Sequence, residues 1–356
     1  MLDKLGVTFP IIQAPMAGVS TPALAAEVSN AGGLGSIGVG ATNAAGARKM
    51  IEELRSRTNR AFNVNVFVHG APKANPEREA AWLEWLAPLF AEFGADVPKT
   101  LRTIYKSFAD DSDMLALLLE TKPAVVSLHF GLPSPDAIRA LKAAGITLFA
   151  TATSLDEARK IEAAGIDAIV AQGIEAGGHR GVFDPSAPDD GLGTLALTRL
   201  LVRNGNLPVI AAGGIMDGAG IASALDLGAV AAQLGTAFVA CPESAADEAY
   251  RKALTGPGAY HTRLTTLISG RPARALSNRF TALQETVLDR LPPDYPIAYD
   301  AGKALHTAAK AKGEHGFGAH WAGQGAPLAR SLPTAELVAT LVRELESRSR
   351  APIPRS

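Results

Sequence analysis

A histidine stands in a glycine-rich turn directly after a short apolar run, in the segment AQGIEAGGHRG at residues 171–181. Glycine permits backbone conformations that a Cβ forbids, and it lets the main chain press against a flat or anionic ligand. His179 would then lie beside that ligand, where an imidazole can donate a hydrogen bond or carry a proton. An isolated GGH turn is more typical of a mobile surface loop, so its interpretation depends on the other strand ends.

Two later strand ends carry glycines suited to an anion. Gly213 and Gly214 follow the seventh apolar run and can offer bare amides where a helix begins, and Gly235 and Thr236 follow the eighth. Each loop alone is equally typical of tight strand-to-helix packing that needs glycine for space. Because loops after the seventh and eighth strands of α/β barrels often bind phosphate, the pair in this order predicts a phosphate site.

Other strand ends carry amides and small residues where sugar-phosphate enzymes more often have carboxylates or lysines. The run QAPMAG at 13–18 places a proline and small residues beside Met16, while Asn65 and Gln172 add amide groups. Such a lining suits a flat heterocycle with several hydrogen-bond donors and acceptors. The phosphate ligand remains a sugar phosphate, a nucleotide or a flavin mononucleotide at this point, with the heterocycles favoured.

The elements that must position these residues alternate along the chain. Apolar runs of strand length alternate with amphipathic segments long enough to be crossover helices, which indicates a parallel (β/α)8 barrel of the TIM type. The predicted strands are 11–16, 34–39, 62–68, 124–130, 147–151, 168–171, 208–212 and 231–238, and the clearest helices are 44–57, 135–144, 154–164, 194–203 and 218–227.

Two stretches exceed what a barrel needs. Residues 71–122 hold two or more helices where one crossover suffices, and everything after about residue 271 is surplus. We expect a barrel of residues 1–70 and 123–270, with 71–122 and 271–356 forming a helical lobe over its C-terminal face and leaving a substrate cleft between them. The segment 315–324, with Trp321 and three glycines, has no role that its residues reveal.

Composition excludes several classes of function. With 34 basic and 35 acidic side chains, the net charge of -1 gives no electrostatic footprint for nucleic acid or an anionic membrane. The single cysteine, Cys241, excludes an internal disulfide and a multi-thiolate metal site, and the lobe histidines lack partners at ligand spacing. We expect a cytoplasmic protein with no metal, no membrane span and no signal peptide.

Five ordered motifs, spread along nearly the whole chain, carry a specific resemblance. QAPMAGVSTP at 13–22, FNVNVFV at 62–68, AQGIEAGGHRG at 171–181, AAGGIMDG at 211–218 and QLGTAF at 233–238 resemble the nitronate monooxygenases, formerly called 2-nitropropane dioxygenases. That family consists of FMN-dependent barrels with a smaller helical domain. The resemblance implies that FMN is held by Ala14, Pro15, Met16, Asn65, Gln172, Gly177, Gly178, Gly213, Gly214, Gln233, Gly235 and Thr236.

The C-terminal part of the chain resembles the first class of that family. Tyr295, Tyr299 and Lys303 stand at four-residue spacing, so a helix would place them on one face. The resemblance implies that these side chains, with Tyr105, close a substrate pocket over the flavin. The class prefers propionate 3-nitronate, a small dianion that a lysine among phenols suits.

A nitronate is already the deprotonated form of a nitroalkane, so no base is needed to begin its oxidation. The resemblance implies reaction with O2 through a flavin semiquinone, with the protein binding and orienting the reactants. We expect His179 to hydrogen-bond the nitro group and to act as a base only toward a neutral nitroalkane. His129, a second imidazole at a strand end, either contacts substrate or flavin or donates a hydrogen bond within its loop.

Two other readings stay open. The same barrel resembles NADH-dependent quinone reductases and FMN-type enoyl-acyl-carrier-protein reductases, although the chain has no GxGxxG motif in a βαβ setting. A non-enzymatic binding scaffold is the third class. The expected small-molecule partners are a nitronate and O2, and the expected assembly is a monomer or homodimer.

Overall fold

The computed structural model describes residues 1–287 and 291–349, which form a parallel barrel and a small antiparallel sheet. The strands, in chain order, are β1 Ile11–Gln13, β2 Gly35–Gly38, β3 Phe62–Phe67, β4 Val125–His129, β5 Thr147–Ala152, β6 Ala168–Gln172, β7 Gly178–His179, β8 Val209–Ala212, β9 Ala231–Leu234, β10 Thr262–Thr265 and β11 Ala273–Leu276.

The α-helices surround the barrel or lie beyond it, and several begin at a side chain that caps the first turn, such as Ser134, Ser154 and Asp217. They are α1 Pro22–Asn30, α2 Ala44–Arg57, α3 Pro76–Glu92, α4 Ser112–Thr121, α5 Pro135–Ala143, α6 Leu155–Ala163, α7 Thr194–Asn204, α8 Gly218–Asp226, α9 Thr236–Val239, α10 Glu248–Thr255, α11 Arg279–Ala282, α12 Ile297–Lys310 and α13 Thr334–Ser349.

Eight parallel strands close into the predicted barrel. Their order is β1-β9-β8-β6-β5-β4-β3-β2, and a parallel bridge between Ile12 and Leu34 joins the two ends of this sheet. The amide of Gln13 donates to the Leu34 carbonyl at 3.0 Å, and the Leu34 amide donates to the Ile11 carbonyl at 2.9 Å. The fold expected from the alternating pattern is therefore confirmed.

The barrel strands are apolar because both of their faces are buried. Ile12, Phe149 and Ile210 belong to one buried cluster, while Val64 and Leu148 belong to a larger one that includes residues of the surrounding helices. This two-sided burial is why these strands appear as short continuous apolar runs with little alternation.

Two predicted strands are too long. The first ends at Gln13 instead of residue 16, and the last ends at Leu234 instead of residue 238. Beyond the rim there is no neighbouring strand to pair with, so the chain turns: the Met16 amide donates to Ser20 Oγ at 2.9 Å, and α9 begins after Gly235. The residues that follow both strands are therefore loop residues.

The lobe contains a small antiparallel sheet in addition to its helices. Strands β10 and β11 pair antiparallel, and β11 pairs with β7, so that Ala273 faces His179. Each of these strands has four residues or fewer, which leaves too little periodicity to detect in the sequence. An apolar cluster packs α3 against α12 and this sheet, with Trp82, Phe280 and Leu305 buried in it.

Two helices of the segments assigned to the lobe pack elsewhere. Leu337 and Leu341 of α13 share a buried cluster with Leu24 of α1 and Ile221 of α8, and Leu118 of α4 lies in the main barrel cluster. The domain boundaries accordingly remain a proposal, in which we would place α4 and α13 with the barrel. Residues 288–290 and 350–356 of the proposed lobe lie outside the described residues.

Within residues 1–287 and 291–349, no helix is both long enough and apolar enough to cross a membrane.

Candidate active site

One cavity of about 610 Å³ lies at the C-terminal ends of the barrel strands, beneath residues of α12 and the lobe. Every residue proposed from the sequence for catalysis, substrate or cofactor lines it. They are His179, His129, Tyr105, Tyr295, Tyr299, Lys303, Ala14, Pro15, Met16, Asn65, Gln172, Gly177, Gly178, Gly213, Gly214, Gln233, Gly235 and Thr236. The barrel topology thus brings together residues up to 289 positions apart, from Ala14 to Lys303.

His179 is held by its backbone pairing with β11 and by aromatic rings on two sides. Its ring centroid lies 5.1 Å from that of Trp321 and 5.3 Å from that of Tyr295. Burial, followed by the positive charge of Arg271 and the neighbouring His129, lowers the pKa of His179 to about 3. The imidazole is therefore neutral at physiological pH, with one N–H and one acceptor nitrogen.

Ser269 is the hydrogen-bond partner of one nitrogen of His179. The His179 Nε2 atom lies 2.9 Å from Ser269 Oγ, and Ser269 Oγ also lies 3.2 Å from the Arg271 carbonyl oxygen. Because the hydroxyl has one proton, it donates either to Nε2 or to that carbonyl. Donation to Nε2 leaves Nδ1 as the N–H, and Nδ1 makes no hydrogen bond to any described residue.

His129 and Gln172 brace the histidine loop. The His179 carbonyl accepts from Gln172 Nε2 at 3.0 Å and lies 3.3 Å from His129 Nε2, while Gln172 Oε1 accepts from the Gly181 amide at 2.7 Å. The other nitrogen of His129, Nδ1, lies 3.0 Å from Thr151 Oγ1. Of the two roles left open for His129, this geometry favours the hydrogen bond within the loop.

Three phenols form the wall opposite the barrel. The Tyr105 ring lies 5.9 Å from Tyr299 and 6.4 Å from Tyr295, measured between centroids. Burial raises the pKa of Tyr105 and of Tyr299 to about 12 and that of Tyr295 well above its usual range, so all three are neutral donors. The Tyr295 hydroxyl is buried with no hydrogen-bond partner among the described residues, and it is available to a ligand.

The three residues proposed to share a helix face do not all lie in the helix. Tyr299 and Lys303 are one turn apart on α12, but α12 begins at Ile297, with Pro296 before it, so Tyr295 precedes the helix. All three still line the cavity. Lys303 Nζ lies 5.2 Å from the Tyr105 ring centroid and 5.3 Å from that of Tyr299, which places a cation over both phenols.

The end of the cavity near β8 and β9 presents unoccupied donors. Gly213 and Gly214 have φ of 126° and 68°, conformations that side-chain-bearing residues rarely adopt. The amides of Gly214, Gly235 and Thr236 donate to no acceptor in the described part of the chain. Thr236 Oγ1 accepts from the Gly323 amide at 3.0 Å, which leaves its proton free to donate. This donor set fits a phosphate group.

The middle of the cavity fits a flat polar heterocycle. Asn65 Nδ2 donates to the Ser127 carbonyl at 3.0 Å, which fixes the amide and leaves its oxygen without a partner among the described residues. At Gly177 an added Cβ would lie 2.5 Å from the Gly323 amide nitrogen, so this turn lies directly against the segment that follows Trp321. Met16 and Gln233 line the same space. The residues present therefore fit FMN, with amide donors for a phosphate at one end and with Asn65, Met16 and Gln233 for a ring system in the middle.

Four contributors to the site were not identified from the sequence: Ser269, Arg271, Phe130 and Trp321. The first two lie between β10 and β11, and that region carries no motif that marks a site. Trp321 lies in the glycine-rich segment 315–324, whose composition was the signal that it differs from an ordinary tail. Its indole packs edge-on against the Tyr299 ring, with centroids 6.3 Å apart, and this contact joins that segment to α12.

No group of three or more histidine, cysteine, aspartate or glutamate side chains suited to a metal ion occurs among the described residues.

Comparison with known proteins agrees with this geometry. The family model described as nitronate monooxygenase matches residues 1–344. A nitronate monooxygenase of Paraburkholderia phytofirmans is 66% identical over 97% of this chain and 94% of its own, and one of Pseudomonas aeruginosa is 60% identical over 96% and 97%. The barrel and its site define an oxidoreductase, and the chain belongs to the nitronate monooxygenase family.

Solved structures show the same architecture. A nitroalkane oxidase from Streptomyces ansochromogenes superposes with a TM-score of 0.88 at 42% identity, covering 99% of this chain and 100% of that one. FabK from Thermotoga maritima superposes with a TM-score of 0.73 at 31% identity, covering 98% and 96%.

Proposed function

We propose that this chain is an FMN-dependent nitronate monooxygenase that oxidises propionate 3-nitronate, and other alkyl nitronates, with O2. The observation that carries the proposal is the single cavity that joins free amide donors near Gly214 and Gly235 to a chamber lined by His179 and three phenols. Membership of the nitronate monooxygenase family supports the substrate class.

In this proposal the residues of the chain bind and orient the cofactor and the nitronate. Gly214, Gly235 and Thr236 would hold the FMN phosphate, and Asn65 and Gln233 would contact the ring system. When bound, FMN supplies a one-electron acceptor beside the substrate. In this proposal Ser269 donates to His179 Nε2, and His179 donates its Nδ1 proton to the nitro oxygens of the nitronate.

The three phenols and Lys303 also contribute to binding the nitronate. Tyr105, Tyr295 and Tyr299 are neutral donors that exclude water from the chamber, and Lys303 at its edge balances the charge of the anion. Because the nitronate is already deprotonated, no residue has to remove a proton from carbon.

The direct test is a visible spectrum of the purified protein before and after anaerobic addition of propionate 3-nitronate. We expect the spectrum of bound oxidised FMN, followed by that of one-electron-reduced flavin, and O2 consumption in air without NADH. A colourless protein that takes up no FMN would instead support the binding-scaffold reading.

A His179→Asn variant tests the role of the imidazole. We expect kcat/KM for propionate 3-nitronate to fall by about 10- to 100-fold, as when one well-placed donor to a charged group is lost, with FMN still bound. Flavin content is measured by absorbance and turnover by O2 uptake. A variant with the wild-type rate would show that the His179 imidazole is not needed for the reaction.

The second candidate is a flavin-dependent NADH oxidoreductase of the quinone reductase or enoyl-acyl-carrier-protein reductase kind. The observation that favours it is the similarity to FabK over 98% of this chain. Rapid anaerobic bleaching of the flavin by NADH would support this candidate and contradict the monooxygenase. Slow or absent bleaching supports the monooxygenase.

We also propose a cytoplasmic location, on the ground that the single cysteine, Cys241, is buried and free. A monomer or homodimer is the proposed assembly, which light scattering of the purified protein would test.

A further inference from the structure

Arg271 is a buried cation without a carboxylate partner. Its residue is 2% exposed, and no carboxylate in the described ranges lies within the 4.0 Å that defines an ion pair. Its guanidinium donates to the Val182 carbonyl, and its Nε is buried without a hydrogen-bond partner among the described residues. An unpaired buried charge is costly in free energy, so it is unusual outside functional sites.

Neighbouring Arg180 shows what a paired buried arginine looks like in the same region. Arg180 is 1% exposed, and its Nε and Nη2 atoms donate to both carboxylate oxygens of Asp189 at 2.8 and 2.9 Å. Its charge is therefore neutralised locally. Arg271 lacks such a partner, because the buried Glu157 uses its oxygens to accept from Thr153 and Phe183.

The charge of Arg271 is directed at the cavity through an aromatic ring. Its guanidinium carbon lies 4.1 Å from the centroid of Phe130, a favourable cation–π geometry. The Phe130 ring then packs edge-on against two cavity residues, with centroids 5.7 Å from His179 and 5.5 Å from Tyr295. The Phe130 ring therefore contacts both the cation and these two cavity residues.

The backbone at Phe130 is strained in a way that maintains this stack. Its φ is 80°, a value that a bulky side chain rarely adopts, and Phe130 is 1% exposed. Strain of this kind persists where the surrounding structure requires the conformation. Here it holds the ring between Arg271 and the two cavity residues.

We propose that Arg271 is a positioning residue whose charge, without an ion-pair partner and behind Phe130, makes the chamber beside His179 and Tyr295 selective for an anion. The inference deepens the proposed function, since it rests on a nitronate anion being the substrate. Arg271 is not among the residues that line the cavity. Its carbonyl also lies 3.2 Å from Ser269 Oγ, so the same residue borders the hydroxyl that holds His179.

Three other basic groups near the chamber contribute less positive charge to it than Arg271 does. His129 and His179 are neutral because burial lowers the pKa of each to about 3. Lys303 lies at the opposite wall, over Tyr105 and Tyr299. It is exposed, so water and salt screen its charge, whereas the charge of Arg271 is screened much less.

The test measures anion binding by calorimetry, which requires no turnover. Nitrite is titrated as the anion and nitromethane as a neutral molecule of similar shape, into the wild-type protein as purified and into Arg271→Met. We expect nitrite to bind about tenfold more weakly to the variant, as follows from removing one charge roughly 10 Å away at an effective dielectric constant near 20, and nitromethane to bind equally.

Two further variants separate charge from folding. Arg271→Lys keeps the charge and should retain nitrite affinity within about threefold, while Arg271→Gln removes it and should behave like Arg271→Met. Arg251→Met is the matched control. Arg251 is also held by backbone carbonyls without an ion pair among the described residues, and it does not line the cavity.

The outcomes distinguish this inference from the proposed function. Equal nitrite affinity in the wild type, Arg271→Met and Arg271→Gln overturns the inference, as does nitrite failing to bind the wild type. A selective loss of nitrite affinity supports it even if O2 uptake with propionate 3-nitronate is absent, which would refute the proposed function alone. If both hold, the neutral variants raise KM for the nitronate about tenfold and leave kcat within about threefold.

Discussion

At the scale of single residues, the chemistry of the site depends on how neutral groups are oriented. Burial keeps His179 uncharged, and its Nε2 is hydrogen-bonded to Ser269. The direction of that hydrogen bond decides whether Nδ1 is a donor or an acceptor. The phenols of Tyr295 and Tyr299 are neutral for the same reason, burial. In the proposed function the site would therefore bind an anion through N–H and O–H donors and a remote cation, without a titrating base.

Replacing Ser269 by alanine tests the tautomer. Without the hydroxyl, Nε2 has no donor and the Nδ1–H form is no longer favoured, so we expect kcat/KM for the nitronate to fall by about tenfold, the value of roughly one hydrogen bond to a charged group. Ser269→Thr keeps the hydroxyl and should restore most of the rate. O2 uptake measures both. Equal rates for the alanine and threonine variants would show that the hydroxyl is not needed.

The pH dependence of stability follows from the buried imidazoles. The folded state holds His129 and His179 neutral, with pKa values of about 3 against an ordinary 6.5. Below pH 6.5 the unfolded chain binds protons that the folded chain does not, so stability is complete above that pH and is lost as pH falls toward 3. We expect a loss of up to roughly 2 kcal/mol per imidazole between pH 6.5 and 5.

Urea unfolding at pH 7.5 and 5.0 measures this effect. A His129→Gln and His179→Asn double variant should lose less stability on acidification than the wild type. The buried His320, whose pKa burial lowers to about 4, should preserve part of the effect in that variant. The same stability at both pH values in the wild type would contradict the assignment of neutral imidazoles.

At the scale of elements, the loop from β6 to β7 is held by three others. β11 pairs with β7, Gln172 at the end of β6 bonds to the loop, and the segment after Trp321 packs on Gly177. The last contact is backbone against backbone. The loop that carries His179 is therefore a junction between barrel and lobe.

Gly177→Ala tests this junction. The new methyl group would lie 2.5 Å from the Gly323 amide nitrogen and 2.6 Å from the Ala322 carbonyl carbon, neither of which can rotate away. We expect a loss of about 1–3 kcal/mol in unfolding free energy and weaker FMN binding. Gly70→Ala is the control, since nothing lies within 4 Å of its added Cβ, and it should change stability little. Urea unfolding and FMN titration compare the two.

At the scale of the whole molecule, α13 holds the end of the described chain on the barrel. Leu337, Val338 and Leu341 are buried against α1 and α8. The helix α12, by contrast, contributes residues to the lining of the cavity. The chain thus leaves the barrel to form the lobe and returns to it.

Leu341→Ala tests this anchor. The side chain is fully buried, so its truncation should cost about 2–5 kcal/mol and lower the midpoint of a thermal scan. Arg343→Ala, on the exposed face of α13, should have little effect. If Leu341→Ala unfolds like the wild type, α13 does not contribute to the cooperative unit.

The sequence by itself determined the barrel and most of the cavity lining. Two-sided burial makes each strand a short apolar run, and strand ends meet at one rim, so Gly213, Gly235 and His179 could be placed together from their positions after strands. It did not reveal β10 and β11, whose pairing is too short to have a period, or that Tyr295 precedes α12.

Only the tertiary structure decided which groups of the site are charged and which of their atoms face the cavity. Whether Ser269 meets His179, and whether Arg271 has a carboxylate or the ring of Phe130 beside it, depends on chain segments between 90 and 141 residues apart. Protonation states follow from that burial and those neighbours, and neither is a property of local sequence. The sequence therefore specified which groups line the cavity, and packing specified which of them are neutral, which are charged and which atoms remain free to bind.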